Sequence, residues 1–361
     1  MTDPFVTVAE QEEAKTLLRA ALAEGVTHAY LFHGPSGVGK RRTALLFAAE
    51  LLGDLRRVEQ GSHPDLFVLE PVGDQIRIDE VRALRRDLHM RPYEASKRVY
   101  LIFSAETMNR EAADALLKDL EEPPPYVVFV LIADELGPIA ATIRSRCQPV
   151  SFHRLSEHAI HEEIVRRGGA RGEEELRTLA RIAAGRLDRL ERLLEPAASA
   201  RRERLLAVAR AVYSDPEFDP AESVRTLREA IEERGAEARA KAESALEGSE
   251  LTKRELDQRL RRVQRGAERD ELLAMLEELA AWYRDLIAVA VGAEGVLIHS
   301  DRAAELRSDG SRERLAAAED AVEIVRAAFR RMQALNLNTT LALEALLVRL
   351  HALFAGLDAL V

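Results

Sequence analysis

The run HAYLFHGPSGVGKRRTALLF, His28 to Phe47, constrains the fold of this chain more than any other stretch. A short aromatic and aliphatic run, Ala29 to His33, enters a glycine-rich loop, and a helical pattern leaves it. Gly34, Gly39 and Lys40 fall on the G-x-x-x-x-G-K spacing, with Gly37 inside it. In that context backbone amides and a helix N-terminus can cradle phosphate, and the lysine can reach it. The residue after the lysine is normally Ser or Thr, whose hydroxyl ligates the nucleotide's Mg²⁺. Arg41 stands there instead. Gly34, Gly37, Gly39, Lys40 and Arg41 are therefore the candidate residues of a nucleotide site that lacks one metal ligand.

A second loss falls on the same ion. Hydrolysis needs an acidic residue at the end of a neighbouring strand to hold Mg²⁺ and order the attacking water. The candidate strand, VYLIF, runs into Phe103 and Ser104 where two acids belong. Glu106 lies further on, and strand alternation or a turn would aim it elsewhere. Hydrolysis by this chain is not expected, whereas weak nucleotide binding remains open because Lys40 and the glycines are kept. No cofactor is required by this reading.

Alternating strand-like and helix-like segments over 5–152 predict a parallel α/β sheet. Strands are expected at Ala29 to His33, Asp65 to Glu70, Arg98 to Phe103 and Tyr126 to Ile132, with a fifth in QPVSFH. Asp79 and Asn109 are the expected caps of the helices that follow them, and Pro123 to Pro125 end the second. Short helices with glycine breaks are predicted over 156–194. Everything beyond Pro196 reads as helix, consistent with 5% aromatic and 32% charged residues. The expected division is an α/β domain over 1–153, a small helical domain over 154–195 and an all-α domain over 196–361.

A formal net charge of −10 repels phosphate globally, so any nucleic-acid contact must be local. The mixed-charge stretch over 228–270 reads as a solvated helical hairpin. Arg254, Arg259, Arg261, Arg262 and Arg265 could line a path there, but acids are interspersed. The single Cys147 allows no internal disulfide and no thiolate zinc site, and only His63 stands near the stretch after the first loop helix. His158 and His161, three apart on a predicted helix, read as an exposed polar face. No apolar run is long enough to span a bilayer and the first residues form no leader, so a cytoplasmic, membrane-free protein is expected. Leu341, Leu343, Leu346, Leu347 and Leu350 form an apolar stripe near the C-terminus.

The stretch Met108 to Cys147 contains ALLKDLEEPP and ends in SRC. In wording and spacing it resembles bacterial DNA polymerase III clamp-loader subunits of the AAA+ superfamily. GSHPD at Gly61 to Asp65 and NLNTTLALEALLVRL extend the likeness over most of the chain. Because both Mg²⁺ positions are degenerate, it is similar to the delta-prime branch rather than to the gamma and tau motors. The resemblance implies an AAA+ P-loop domain, a helical lid and a helical collar through which subunits form a ring. It implies that Arg146, of SRC, reaches in trans to ATP held by a neighbouring gamma or tau subunit, in a complex with delta that loads a sliding clamp onto primed DNA. An arginine finger is worth ~10³ to 10⁵ in rate. It implies no catalytic metal in this chain and, lacking the four cysteines of many relatives, no zinc. Ala133 or Asp134 replaces a polar sensor, and Arg186 and Arg189 lie near a second sensor position. The alternative is an active AAA+ motor of the gamma/tau type.

Overall fold

The computed structural model describes residues 3–71, 75–167, 172–246, 253–335 and 337–357. The chain divides into two compact units, Met1–Ala170 with Ala183–Leu190, and Arg171–Ile182 with Glu191–Val361. The helices over 154–195 are shared between them.

In the first unit α1 (Glu12–Glu24) precedes β1 (Ala29–His33), α2 (Lys40–Leu52), α3 (Leu55–Glu59) and β2 (Leu66–Leu69). Then come α4 (Ile78–Leu88), β3 (Arg98–Ile102), α5 (Arg110–Glu121), β4 (Val127–Ala133), α6 (Ala141–Arg144), β5 (Gln148–Ser151) and α7 (Glu157–Arg166). The five strands form one parallel sheet in the order β2-β3-β4-β1-β5. Strand alternation sends Tyr30, Phe32, Val99, Leu101, Val128 and Val130 to one face, where Phe47 and Leu18 pack. Leu31, Tyr100, Ile102, Phe129 and Leu131 go to the other, against Leu84 and Leu116. Burial on both faces explains why the central strands β1, β3 and β4 read as near-continuous apolar runs. This is the parallel α/β layout that the sequence predicts, with the glycine loop at the end of β1. The order also seats β4 between the loop strand β1 and β3, so the residue after β4 stands between Lys40 and Phe103.

Of the two expected caps, Asn109 accepts from the Ala112 N–H at 2.9 Å. Asp79 does not cap: it sits within the first turn of α4, and Glu80 accepts from the Arg77 N–H at 3.0 Å. The second unit contains most of α8 (Glu173–Ala183), the end of α9 (Leu187–Leu193), and α10 (Ala198–Ser214), α11 (Pro220–Ala245) and α12 (Lys253–Ala290). After α13 (Ala303–Asp309), α14 (Leu315–Ala334) and α15 (Thr339–Phe354) complete it. Its core gathers Leu205, Leu276, Trp282, Tyr283, Val325 and Leu347. Of the C-terminal stripe, Leu343, Leu346, Leu347 and Leu350 enter this core, but Leu341, at the start of α15, is 64% exposed. Helical spacing explains the exception: Leu341 lies on the side of α15 that carries the exposed Val348.

Candidate functional site

The loop from β1 to α2 has the backbone its glycines predict. Gly34, Gly37 and Gly39 have φ of 137°, 70° and 98°, values that L side chains rarely adopt. A Cβ on Gly34 would stand 2.0 Å from the Phe152 carbonyl oxygen, and one on Gly37 would stand 1.8 Å from Asp188 Oδ1. Thr43 Oγ1 donates to the Gly39 carbonyl at 2.9 Å, closing the first turn of α2 from inside.

Lys40 does not project into an open pocket. It is 5% exposed, and its Nζ donates to the Gly34 and Pro35 carbonyls, each at 2.5 Å, and pairs with Asp134 Oδ1 at 2.8 Å. All three ammonium hydrogens are thus taken by the chain itself. Sequence reasoning read Asp134 as a lost sensor; it is also the counter-ion of the loop lysine. β4 ends at Ala133, beside His33 of β1, so the next residue arrives where the lysine points.

The two substitutions that remove Mg²⁺ ligands meet. The Arg41 guanidinium carbon lies 4.0 Å from the centroid of the Phe103 ring, and Arg41 Nη2 pairs with Glu70 Oε1 at 2.6 Å. Such a stack gains ~0.5–1 kcal/mol at an exposed site. A cation now stands where the pattern requires a hydroxyl, and an aromatic ring where it requires a carboxylate. These residues do not fit a bound divalent metal: the fixed guanidinium would repel it, and neither Arg41 nor Phe103 offers it a lone pair.

Asp188, at the start of α9, brings a negative charge to the loop. Its carboxylate accepts from Arg186 Nη2 at 2.9 Å and from the Arg189 N–H at 2.8 Å. Burial pushes its pKa up, but Arg186 and Arg189 outweigh that and hold it below the ordinary aspartate value. The Leu187 N–H donates to the Gly37 carbonyl at 2.6 Å, stitching the 183–190 segment onto the loop. Of the two arginines considered as sensors, Arg186 is therefore engaged with Asp188, and Arg189 is buried. Only the tertiary fold reveals Asp188, since nothing in its local sequence points to the loop.

Glu106 comes closer than alternation predicted. Ser104 takes a left-handed backbone (φ 52°, ψ 47°) and turns the chain into a 3-10 turn at Ala105–Thr107. Burial raises the Glu106 carboxyl above its ordinary pKa, as does Asp134, with Lys40 opposing, and its Oε2 has no hydrogen-bond partner among the described residues. Its charge is felt by, and feels, Lys40 and Asp134.

Arg146 follows the short helix α6, whose turn is closed by Ser145 Oγ donating to the Thr142 carbonyl at 3.1 Å. Arg146 Nη1 donates to the same carbonyl at 2.8 Å, and Nη2 pairs with Glu121 at the end of α5. Its side chain keeps 32% exposure, so the guanidinium is held in a half-open position on the surface. Cys147 beside it is buried, which pushes its thiol up to about 12. His158 is exposed and pairs with Glu162 at 3.2 Å, four residues on along α7.

Residues 10–156 match the family described as DNA polymerase III, delta subunit. The DNA polymerase III subunit delta' of Bacillus subtilis is 34% identical over 163 residues, 42% of this chain and 50% of that protein. The delta' of Pseudomonas aeruginosa is 41% identical over 135 residues, 33% of this chain and 41% of that one. The tau subunit of Bacillus subtilis is 33% identical over 166 residues, 42% of this chain and 29% of that protein. The chain spans about half or less of the length of these curated relatives. A gamma subunit-related protein from Thermotoga maritima covers 95% of the chain and 99% of its own length at 17% identity and a TM-score of 0.46. Residues 10–156, the stretch that carries the glycine loop, the Arg41–Phe103 stack and Arg146, are thus similar to the DNA polymerase III delta subunit family and to delta' proteins, a likeness that spans less than half of the chain.

Proposed function

We propose that this chain is a non-hydrolysing subunit of a clamp-loader ring that lends Arg146 to ATP held by a neighbouring motor subunit. The observation that carries the first half is the Arg41–Phe103 stack, reinforced by a lysine already saturated by Gly34, Pro35 and Asp134. Phosphate would have to displace Asp134 from Lys40 and accept Asp188 as a neighbour of like charge. The chain's partners in this reading are gamma/tau and delta subunits, with the sliding clamp and primed DNA met through the assembled ring.

For the second half, the Glu121 pair keeps Arg146 oriented while the ring is open. An exposed ion pair contributes only ~0–1 kcal/mol, so a γ-phosphate brought up by a neighbour would outcompete Glu121. The transferred charge is then stabilised by a guanidinium that the motor subunit does not itself supply.

A second reading, a gamma/tau-like motor, is favoured by the tau relatives and by the buried Glu106 carboxyl near Lys40. Steady-state ATP hydrolysis separates the two. The first predicts no turnover by the chain alone, and turnover that depends on adding it when motor and delta subunits, clamp and primed DNA are present. Arg146→Ala should abolish the share of turnover belonging to the one site it serves, a loss of ~10³ at that site, with the ring still assembled. Full turnover in an intact ring containing Arg146→Ala rejects the finger, and turnover by the wild-type chain alone establishes the motor reading.

A further inference from the structure

The first third of α12 is held to α11 by its acids, and this leaves its arginines facing outward. Asp257 accepts from Arg239 Nη2 at 3.3 Å and pairs with Arg261 Nε at 2.9 Å. Further along, Glu268 lies against Gly235 and accepts from Gln264 Nε2 at 2.9 Å. The sequence between Lys253 and Ala267 has six basic residues against two acids, Glu255 and Asp257. Arg254, Arg259, Arg262 and Arg265 are exposed, and none forms an ion pair among the described residues. The interspersed acids that weighed against a DNA or protein path along this stretch are thus drawn, at Asp257 and Glu268, into the seam with α11.

Helix geometry lines these groups up. At 3.6 residues per turn, Arg254, Gln258, Arg262 and Arg265 fall within an arc of about 80° over a rise of about 16 Å, with Arg259 about 60° beyond it. One strand of B-form DNA offers a phosphate every 3.4 Å of axis, so the strip matches roughly five phosphates. The chain has no aromatic residue between Phe218 and Trp282. That removes the stacking platform single-stranded bases would use, and the anchors a protein partner would use. Guanidinium groups without aromatic neighbours suit a duplex backbone.

We propose that the outward face of α12 from Arg254 to Arg265 docks the phosphodiester backbone of duplex DNA, without sequence readout. This site stands independently of Arg146 and of ATP, and its contact is purely ionic. At a net charge of −10 the rest of the chain opposes it, so binding belongs to low and moderate salt.

The test is fluorescence anisotropy of the full chain with a labelled 30-base-pair DNA duplex across a salt series. Four phosphate contacts give a slope of log K against log salt of about −3.6, or a loss of ~10²-fold between 50 and 200 mM. The Arg254→Gln/Arg259→Gln/Arg262→Gln/Arg265→Gln variant should bring that slope close to zero. Gln keeps helix propensity on an exposed face, and circular dichroism checks that it folds. A control with the same charge change at the exposed Arg312, Arg326, Arg330 and Arg349 should keep the wild-type slope. An equal loss in both variants, no measurable duplex binding at low salt, or competition by polyglutamate as effective as by unlabelled duplex would each overturn the proposal. The last outcome would assign the strip to an acidic protein.

Discussion

Lys40→Ala is the perturbation that separates a structural lysine from a phosphate-binding one. In a working nucleotide site the lysine is mobile and its removal costs binding, with little effect on the empty protein. Here its ammonium ties the Gly34 and Pro35 carbonyls to Asp134. Hydrogen bonds to a charged group contribute ~1.5–3 kcal/mol each. The Asp134 arm is half exposed and adds ~1 kcal/mol or less, and water can satisfy part of what the two carbonyls lose. The net expectation is about 2–4 kcal/mol. Peptide-resolved hydrogen exchange reads this directly. At tenfold per 1.4 kcal/mol, amides of 40–52 should lose roughly 30-fold protection or more, while amides of 272–290, in the other unit, stay unchanged. Adding 1 mM MgATP to the wild-type chain should change nothing. A ligand held with a dissociation constant a hundredfold below its concentration would add ~2.7 kcal/mol. Unchanged protection in Lys40→Ala, or a strong gain with MgATP, would refute the account of a self-filled pocket.

Two further outcomes follow from buried titratable groups. His299 Nδ1 lies 2.9 Å from Asp285 Oδ2, with Glu278 3.8 Å from its Nε2. Burial pulls its pKa down, but these two carboxylates outweigh burial and hold it above the ordinary imidazole value of ~6.5. Its stabilising charge is therefore complete below pH ~6.5 and is lost as pH rises through the higher folded value. The only tryptophan, Trp282, packs edge-on against this ring at 5.4 Å. Because an imidazolium quenches indole emission, fluorescence should rise with pH above ~6.5, and His299→Gln should remove that titration; a pH-independent signal in the wild type would contradict a protonated His299. Cys147, its thiol pushed up to about 12 by burial, should react with a disulfide reagent at pH 8 on the order of 10³-fold more slowly than a free cysteine. Denaturant should restore ordinary reactivity, and fast labelling of the folded chain would show that the thiol is reachable.

The loop's amino acids announced both its backbone and what it had lost. Glycine at 34, 37 and 39 is a local requirement, met wherever the chain places them, and Arg41 and Phe103 are absences visible in the sequence. The centre of the sheet was legible for the same reason: a strand buried on both faces must be apolar, as β4 is throughout, whereas the edge strand β5, Gln148–Ser151, is half polar and largely exposed. Helix starts were legible where the cap is a side-chain acceptor, as at Asn109, and misread at Asp79, which serves the first turn of α4 from within.

Properties carried by single residues or short periods could be read before any folding: an α/β domain with a glycine loop, a helical remainder, Arg41 and Phe103 where the loop pattern has a hydroxyl and an acid, and the motif that contains Arg146. Tertiary structure alone decided which of these residues meet. Parallel strand order placed Asp134 on Lys40 across 94 residues of chain and set the Phe103 ring under Arg41. The 183–190 segment returned to lay Asp188 on Gly37, and the seam of α11 with α12 drew Asp257 inward while leaving Arg254, Arg259, Arg262 and Arg265 outside. Charge pairs of this kind are set by which distant backbones pass within ~4 Å, and no local pattern records that.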